Sequence, residues 1–590
     1  MEQKNLIIAI VASLAILLGF QFFYEIPRQQ AAQEAQRARQ AELAAQQALQ
    51  NPATLPAAPG QSAGLNALTP TLPGATPSGL VPAQALTRAD ALARSERLAI
   101  DTPKLFGTLP LTGARIDDLH LQRYRETVNP TSENIVLLNP SGRPDAYFGE
   151  TGWIGQAGLK LPSADTVWTA NRRTLVPGQP VTLTWDNGEG LRFTRVVEID
   201  QDYMITVVQK VENTSAATVT LAPYARVARS GTPVTQGFFI LHEGLIGVLD
   251  GVLQEHTYKD MQGDRRIEGR TTGGWLGITD KYWLVALIPD QRETVATRFI
   301  HDIAGGGDLY QVDYRGTERT IAPGTVAETQ HRFFAGAKEV ATLTRYKNEV
   351  GITSFDFAVD WGWFHFLTRP IFYLLEIIQG LVGNFGVAIL LLTVLIKGLF
   401  FPLANKSYVM MSKMRALTPK MTELREKYAE DKQRLQQEMM QLYKSEKVNP
   451  LSGCLPILLQ IPVFFALYKV LFVTIEMRHA PFFGWIRDLS APDPTSIFNL
   501  FGLLPYDVPG FLLSVGLGIW PLIMGVTMWV QQRLNPPPPD PIQARIFAWM
   551  PVIFTFMLAG FPAGLVIYWA WNNLLSIAQQ KVIMHRMGVS

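Results

Sequence analysis

Residues 381–402 read LVGNFGVAILLLTVLIKGLFFP. About 20 apolar residues in a helix span the ~30 Å hydrocarbon core of a bilayer, so this stretch predicts a transmembrane helix. One residue, Lys397, breaks the apolar pattern. A lysine at the centre of a membrane helix costs roughly 2.5–3.5 kcal/mol, and an intramembrane cation is therefore a candidate functional residue.

The sequence leaves two interpretations of Lys397 open. The residue lies only about 7 Å of helix rise before Pro402, so its long side chain could reach the lipid headgroups. Alternatively, the cation faces a polar groove between helices. Thr393, one turn earlier on the same face, slightly favours the groove.

Composition agrees with a membrane protein of more than one domain. The chain has 590 residues, of which 47% are hydrophobic and only 17% are charged. The net charge of +2 gives no indication of specific nucleic-acid binding. A single cysteine, Cys454, excludes an intramolecular disulfide and a cysteine zinc cluster. Because no nucleophile motif, phosphate loop or metal-ligand spacing occurs, we expect no catalytic residue, no metal and no cofactor.

The first half of the chain predicts an anchor, a linker and a β domain. Residues 6–24 form an apolar run longer than a signal-peptide core, which predicts an uncleaved transmembrane anchor over 1–25. Residues 26–88 are rich in Ala, Gln and Pro, as in linkers. Over 89–345, short alternating runs bounded by Gly, Pro, Asn and Asp predict a large antiparallel β sandwich.

Four residues of this domain could form a catalytic or metal cluster. Their spacing matches no ligand motif, and such residues are common on loops, so we expect no site there. They are His242, Glu243, His256 and Asp260.

The second half alternates apolar spans with polar connections. The last apolar stretch is about 37 residues, or ~55 Å as one helix, so it must fold back at FPAG, 561–564. With the anchor, this predicts six transmembrane helices. The predicted segments are a connection with an interfacial amphipathic helix (346–380), a transmembrane helix (381–402), a cytoplasmic helical hairpin (403–451), a transmembrane helix (452–476), an outer loop (477–511), a transmembrane helix kinked near Pro521 (512–532), a cytoplasmic loop (533–546), two transmembrane helices (547–583) and a cytoplasmic tail (584–590).

The hairpin combines an apolar stripe with an excess of Lys and Arg. Its apolar residues recur every three or four positions on both sides of Glu430 and Asp431, which predicts two amphipathic helices. The positive-inside rule places the hairpin and both termini in the cytoplasm, and the β domain on the other side. We expect the hairpin to contact partners through Met414, Met421, Lys420, Arg425 and Lys427.

Three stretches carry a resemblance that covers nearly the whole chain. They are TVLIKGLFFPL at 393–403, MRALTPKMTELREKYAEDKQ at 414–433 and MPVIFTFMLAGFPAGLVIYW at 550–569. Their length and spacing resemble the YidC/Oxa/Alb family of membrane-protein insertases, in its Gram-negative form.

The resemblance implies a periplasmic β supersandwich and a five-helix core in the inner membrane, with a hydrophilic groove open to cytoplasm and lipid. It implies that the chain inserts and helps fold nascent membrane proteins in the lipid bilayer, alone or with the Sec translocon. It also implies contacts to the ribosome and the signal recognition particle receptor through the cytoplasmic loops.

The conserved groove cation of the family falls on Lys397, where the Gram-negative members carry arginine. Lysine keeps the charge but loses the bidentate fork. The connection at 496–515 is also longer than the resemblance leads us to expect, and the C-terminal tail is short and weakly basic. Candidate groove residues, each of which could instead form ordinary interhelical hydrogen bonds, are Lys397, Thr393, Gln460, Gln532, Tyr568 and Asn572.

Two other functions remain open at this point. A membrane-anchored carbohydrate enzyme is one, since the supersandwich of the family resembles sugar-processing folds. A coupled transporter is the other, although the spans show no acid–base relay and no inverted repeat.

Overall fold

The computed structural model describes residues 86–235, 241–304, 307–446, 448, 455–504, 506, 508, 517–535 and 541–586. The predicted anchor, almost all of the predicted linker and residues 587–590 of the tail lie outside this set. Within it, a β domain comes first and a set of helices follows.

The β domain contains the strands of the described chain. They are β1 Arg97–Asp101, β2 Leu105–Pro110, β3 Asp118–Arg125, β4 Asn134–Leu138, β5 Tyr147–Gly155, β6 Thr169–Ala170, β7 Thr174–Leu175, β8 Val181–Asp186, β9 Leu191–Ile199, β10 Met204–Asn213, β11 Val219–Ser230, β12 Gly244–Leu249, β13 Val252–Thr257, β14 Arg266–Thr272, β15 Trp275–Thr279, β16 Trp283–Ile288, β17 Thr294–Ala304, β18 Gly307–Arg315, β19 Arg319–Ile321 and β20 Val326–Ala337.

These strands form three sheets. One has the order β4-β3-β2-β1-β7, the second β13-β12-β15-β16-β20-β10-β9-β8-β6, and the third β14-β17-β18-β11-β19 with β5 also paired to β11. Pairing is antiparallel except between β1 and β7. In β9 and β10 buried residues alternate with more exposed ones, which is the pattern of a strand with one face on a core. The predicted antiparallel β-rich domain is confirmed.

His331, in β20, is a buried histidine that links stability to pH. Its Nδ1 lies 2.6 Å from the Tyr314 hydroxyl and its Nε2 lies 2.9 Å from Gln209 Nε2. Burial lowers the pKa of His331 from 6.5 to about 3. Between these values the unfolded chain binds a proton that the folded chain does not, so the free energy of unfolding falls as the pH drops below 6.5.

We therefore expect His331→Gln to weaken the acid destabilisation of the β domain. At about pH 4.5 the wild-type histidine costs about 2–3 kcal/mol relative to neutral pH, because each pKa unit is about 1.4 kcal/mol. Denaturant unfolding of the full chain in detergent, followed by the circular dichroism of the sheets at both pH values, measures this cost. His585→Gln, at an exposed helical position, should behave as wild type. An unchanged pH dependence in His331→Gln would contradict the prediction.

The helices follow the β domain, apart from two short ones that precede or interrupt it. They are α1 Arg88–Ala93, α2 Tyr258–Asp264, α3 Val340–Arg345, α4 His365–Val382, α5 Phe385–Ala416, α6 Thr418–Lys427, α7 Lys432–Ser445, α8 Leu455–Val473, α9 Ile519–Leu534, α10 Pro541–Leu558 and α11 Ala563–Arg586. Helix α3 continues as a π-helical turn, Tyr346–Val350, and short 3₁₀ helices span Phe355–Ala358, Ile475–Met477 and Ile497–Gly502.

Helix α5 does not end at Pro402, where the sequence predicted the end of a span. It continues into the segment assigned to the hairpin, 403–451. Proline removes one backbone hydrogen bond. Beyond it, the helix is stabilised by packing, because Tyr408 and Met411 form a buried cluster with Ile583 of α11. The boundary at 402 therefore falls inside α5.

Two other predicted breaks can be compared with the helices. Helix α9 begins at Ile519, so Pro521 lies in its first turn, where no intrahelical donor is needed. Residues 512–516 of the predicted span lie outside the described residues, and the kink near Pro521 stays a prediction. The stretch 547–583 is divided into α10 and α11 around residues 559–562. Pro562, directly before α11, explains the break, because it has no N–H to donate to a carbonyl of the preceding turn.

Within the part of the chain that the structure describes, α5 is the one helix long and apolar enough to cross a membrane by length and composition. Its mean hydropathy reaches 2.4. Shorter apolar helices cover 460–473 and 544–558. The count of six transmembrane helices therefore stays a prediction, and one of the six falls on residues 1–25, outside the described set.

Buried polar contacts join the β domain to the end of α8. Lys469 forms an ion pair with Asp360, with 2.6 Å between Nζ and Oδ2. Just beyond α8, Glu476 Oε1 accepts a hydrogen bond of 3.0 Å from the Val340 N–H at the start of α3. The β domain is thus fixed to one end of the helical bundle.

Candidate functional site

Lys397 lies on α5 and its side chain points towards α11. Its ammonium donates a hydrogen bond of 2.7 Å to the Ser576 hydroxyl, which is buried. Ser576 in turn donates to the Asn572 carbonyl one turn earlier, at 2.8 Å. No carboxylate of the described residues lies within 4 Å of the ammonium. The contact places the Lys397 ammonium between two helices, with no counter-ion among the described residues.

Helix α11 presents a row of polar residues to its neighbours. Tyr568, Asn572, Ser576 and Gln580 are spaced by four residues and are all buried, so they share one face of the helix. Tyr568 accepts a hydrogen bond from Gln460 of α8. Gln580 donates at 3.0 Å to the Leu534 carbonyl at the end of α9. This α11 polar row therefore contacts α5, α8 and α9 along its length.

Two side-chain oxygens of the α11 polar row, Asn572 Oδ1 and Gln580 Oε1, have no hydrogen-bond partner among the described residues. The side-chain oxygen of Asn572 is buried and accepts no hydrogen bond from the described residues. Buried polar atoms are nearly always hydrogen-bonded, so each of these acceptors marks a place where a polar group can bind.

Two of the groove residues proposed from the sequence, Thr393 and Gln532, form hydrogen bonds that do not involve Lys397. Thr393 is buried, and its hydroxyl donates at 2.7 Å to the Ile389 carbonyl of its own helix. Gln532 donates to the Phe547 carbonyl of α10. The structure thus links Lys397 through Ser576 to the main-chain carbonyl of Asn572, and it joins Gln460 to Tyr568.

Sequence reasoning missed Ser576 and Gln580. Their signal was present, because polar residues at 572, 576 and 580 repeat with helical spacing in an apolar stretch. The partner of Lys397 could not be found this way, since it is 179 residues away in the chain.

The hairpin buries one of its predicted partner contacts. Met421 packs in a small cluster with Leu417, Met439 and Tyr443, because the stripes of α6 and α7 face each other. Met421 is therefore not a surface contact in this conformation, which corrects the prediction. Met414 is half-buried against the same cluster.

The cationic hairpin residues remain accessible. Lys420 and Lys427 are exposed and Arg425 is half-buried. Lys420 forms an ion pair of 2.8 Å with Glu446, and Lys427 lies over the Tyr428 ring at 5.5 Å. Such exposed contacts contribute little to stability.

Two of the four candidate cluster residues, His242 and Asp260, make structural contacts within the β domain. His242 Nε2 lies 3.0 Å from the Leu245 carbonyl, and Asp260 caps α2 together with Thr257. No group of three or more potential metal ligands occurs among the residues described.

Two family models together match nearly all of the chain after the linker. The model described as YidC periplasmic domain matches residues 97–374, and the model described as 60Kd inner membrane protein matches residues 377–589. The membrane protein insertase YidC of Methylorubrum extorquens (strain PA1) is 52% identical, over all of this chain and 96% of that protein. That of Rhizobium meliloti (strain 1021) is 51% identical over the same shares. The chain belongs to the YidC family of membrane protein insertases.

The resemblance found in the sequence is therefore confirmed. Members of the YidC family are insertases of the inner membrane with a periplasmic domain, and this insertase has both matching parts. Because its relatives are named as insertases, the prediction that it is not an enzyme is confirmed too. The carbohydrate-enzyme alternative is set aside.

Solved structures show more distant likenesses. A crystal structure of an active YidC insertase with its first transmembrane domain resolved is 16% identical and covers 82% of this chain and 92% of that chain, with a TM-score of 0.34. A galactose mutarotase-like protein from Lactobacillus casei ATCC 334 is 12% identical and covers 40% of this chain and 99% of that chain, with a TM-score of 0.28. At these scores neither likeness bears on function.

Proposed function

We propose that α5, α8, α9, α10 and α11 form a five-helix membrane core, and that the α11 polar row lines a hydrophilic groove open to cytoplasm and lipid. The observation that carries this proposal is the hydrogen bond from Lys397 to Ser576. It directs a cation that has no carboxylate partner among the described residues towards α11, whereas a lysine that reached the headgroups would leave the bundle.

In this groove, a hydrophilic tail or loop of a nascent membrane protein enters the membrane without meeting hydrocarbon. Lys397 attracts an acidic group of the tail, and the side-chain oxygen of Asn572, which has no partner among the described residues, accepts a hydrogen bond from one of its donors. Attraction over ~4 Å is worth about 4 kcal/mol at an effective dielectric of 20, before desolvation. That is similar to the roughly 2.5–3.5 kcal/mol cost of one charge in the membrane, so the groove suits short tails with few charges.

Two further forces complete insertion. A membrane potential that is positive outside favours outward movement of each negative charge by roughly 2.3 kcal/mol per 100 mV. The apolar helix of the client then leaves the groove sideways into lipid, where burial of its side chains is favourable.

The proposed orientation follows the distribution of basic residues. The hairpin and both termini lie in the cytoplasm, and the chain crosses the inner membrane six times, counting the anchor over 1–25. The join between the β domain and the end of α8 supports this arrangement, because it puts the domain at the end of the bundle opposite the hairpin.

The cytoplasmic surface offers the contacts for partners. We assign ribosome and signal recognition particle receptor contacts to the basic face of the hairpin, including Lys420, Arg425 and Lys427, and to the loop 533–546. Met421 is left out, because it is buried. Cooperation with the Sec translocon belongs to the same proposal.

Protease protection of a client tests the function. The purified chain is reconstituted into liposomes, and a single-span client with a short acidic tail is added. We expect the tail to become protected, whereas the same client with a folded domain in place of the tail should stay accessible. Equal protection in protein-free liposomes would contradict the proposal.

Deleting residues 90–340 should leave most of this insertion intact, because the groove residues all lie in the helices. The same protease assay measures it, with the full chain as reference at equal amounts in the membrane. Complete loss of insertion in a deletion variant that still reconstitutes would assign the activity to the β domain.

Uptake of a small solute driven by an ion gradient, measured in the same vesicles, would favour the alternative function of a coupled transporter.

A further inference from the structure

The connection between α8 and α9 exposes an apolar patch. We define the outer patch as Leu500, Phe501, Leu503, Leu504 and Tyr506, which are all exposed; Leu503 is 82% accessible. Residues 495–506 carry no charged side chain. Soluble surfaces rarely expose so many adjacent large apolar side chains, and such patches mark interaction sites.

The backbone of this segment turns inward and leaves the side chains outside. The Phe501 N–H donates to the Ser496 carbonyl at 2.7 Å, and the Leu504 N–H donates to the Asn499 carbonyl at 3.0 Å. Leu500 and Phe501 have φ values of 49° and 60°, a region that residues with a Cβ seldom adopt. These two N–H groups are thus bonded within the loop, while the side chains of Leu500, Phe501 and Leu504 are exposed.

The outer patch is joined to the first turn of α9. The Asp493 side chain accepts a hydrogen bond of 2.9 Å from the Trp520 N–H, and Thr495 accepts one of 3.0 Å from the Ile519 N–H. The Ile497 N–H donates to the Leu517 carbonyl at 3.0 Å. These bonds place the patch at the start of a helix of the proposed membrane core.

Two other hydrogen bonds of the connection between α8 and α9 show at which end of the helical bundle the outer patch lies. Arg478, at its beginning, donates at 2.6 Å to the Arg125 carbonyl of the β domain. Further along, the Leu489 carbonyl accepts a hydrogen bond of 3.0 Å from the Gly564 N–H in the first turn of α11. The outer patch therefore lies at the end that carries the β domain.

We propose that the outer patch inserts into the membrane leaflet on the β-domain side, at the boundary of headgroups and acyl chains. Helix α9 exposes Ile523, Val526 and Trp529 along its length, so the patch continues an apolar surface that already needs lipid. An uncharged loop with Leu and Phe side chains and one Tyr fits this boundary, where aromatic residues with a polar end are enriched. The inference rests on the membrane placement of α9 given under Proposed function.

A fluorescent label reports the environment of the patch. Cys454 is the single cysteine, so a C454S background accepts one new cysteine at a time. An NBD label is attached at Leu503→Cys and, as a second site in the patch, at Leu504→Cys. Val526→Cys on α9 is the lipid-facing reference, and Val234→Cys on the exposed surface of the β domain is the aqueous reference. All variants are reconstituted in phospholipid vesicles at about one protein per vesicle, and each must retain client insertion.

We expect doxyl-labelled lipid to quench the patch labels at least half as strongly as the label at Val526, and aqueous iodide to quench them less than the label at Val234. Quenching by iodide alone would overturn the inference in favour of a hydrated loop. Protection from both quenchers would overturn it in favour of a protein cover, such as another part of the chain. If the Val526 label is not quenched by lipid either, the proposed membrane placement of α9 fails instead.

Discussion

Lys397→Ala is expected to reduce insertion of a client with a short acidic tail by about tenfold or more, whereas Lys397→Arg should retain it. A tenfold change is about 1.4 kcal/mol, a fraction of the roughly 4 kcal/mol of attraction available before desolvation. Arginine keeps the charge, although its fork could rearrange the contact that Lys397 makes with Ser576.

The measurement is protease protection in liposomes, with two controls. Lys406→Ala removes another cation from α5, at an exposed position, and should insert clients as wild type does. A client whose tail is neutral should be insensitive to the charge at position 397. The two controls together test whether the effect is specific to Lys397 and to an acidic tail.

Equal insertion by wild type, Lys397→Ala and Lys397→Arg would contradict a role of the charge. Groove hydration and local thinning of the bilayer would then remain as the mechanism. A loss in Lys397→Ala that is the same for acidic and neutral tails would indicate a packing role in which the lysine joins α5 to α11.

Asp360→Ala is expected to destabilise the interface between the β domain and the helices by about 3–5 kcal/mol. The side chains of Lys469 and Asp360 are only 7% and 16% exposed and lie 2.6 Å apart. Removing one member of a buried pair leaves the other charge desolvated without its partner. The backbone N–H of His242, which donates to Asp360 at 3.0 Å, loses its acceptor as well.

Thermal unfolding of the full chain in detergent measures this change, and limited proteolysis near residue 360 locates it. Glu328→Ala is the matched control, because it breaks a pair with Lys210 of similar length, 2.8 Å, whose two side chains are both exposed. An exposed pair is worth at most about 1 kcal/mol. Equal effects of the two substitutions would show that the buried pair does not hold the domains together.

Much of the fold follows from local patterns in the sequence. Alternation along β9 and β10, the apolar run of α5 and the helical periodicity on both sides of Glu430 are consequences of backbone geometry, which fixes how often a side chain returns to one face. Helix ends were less predictable. Pro402 suggested an end, but α5 passes it because Tyr408 and Met411 pack on α11, and that packing is not visible in a local window.

The candidate site shows more clearly the difference between what local sequence patterns predict and what tertiary packing decides. The sequence alone identified Lys397 as an unusual residue, placed it in an apolar helix, and carried the family resemblance through long stretches. Only the tertiary structure decided that its ammonium meets Ser576, that the side-chain oxygen of Asn572 has no partner among the described residues, and that Met421 is buried within the hairpin. The reason is physical: periodicity determines which residues share a face of one element, but the partner of that face depends on contacts between residues far apart in the chain.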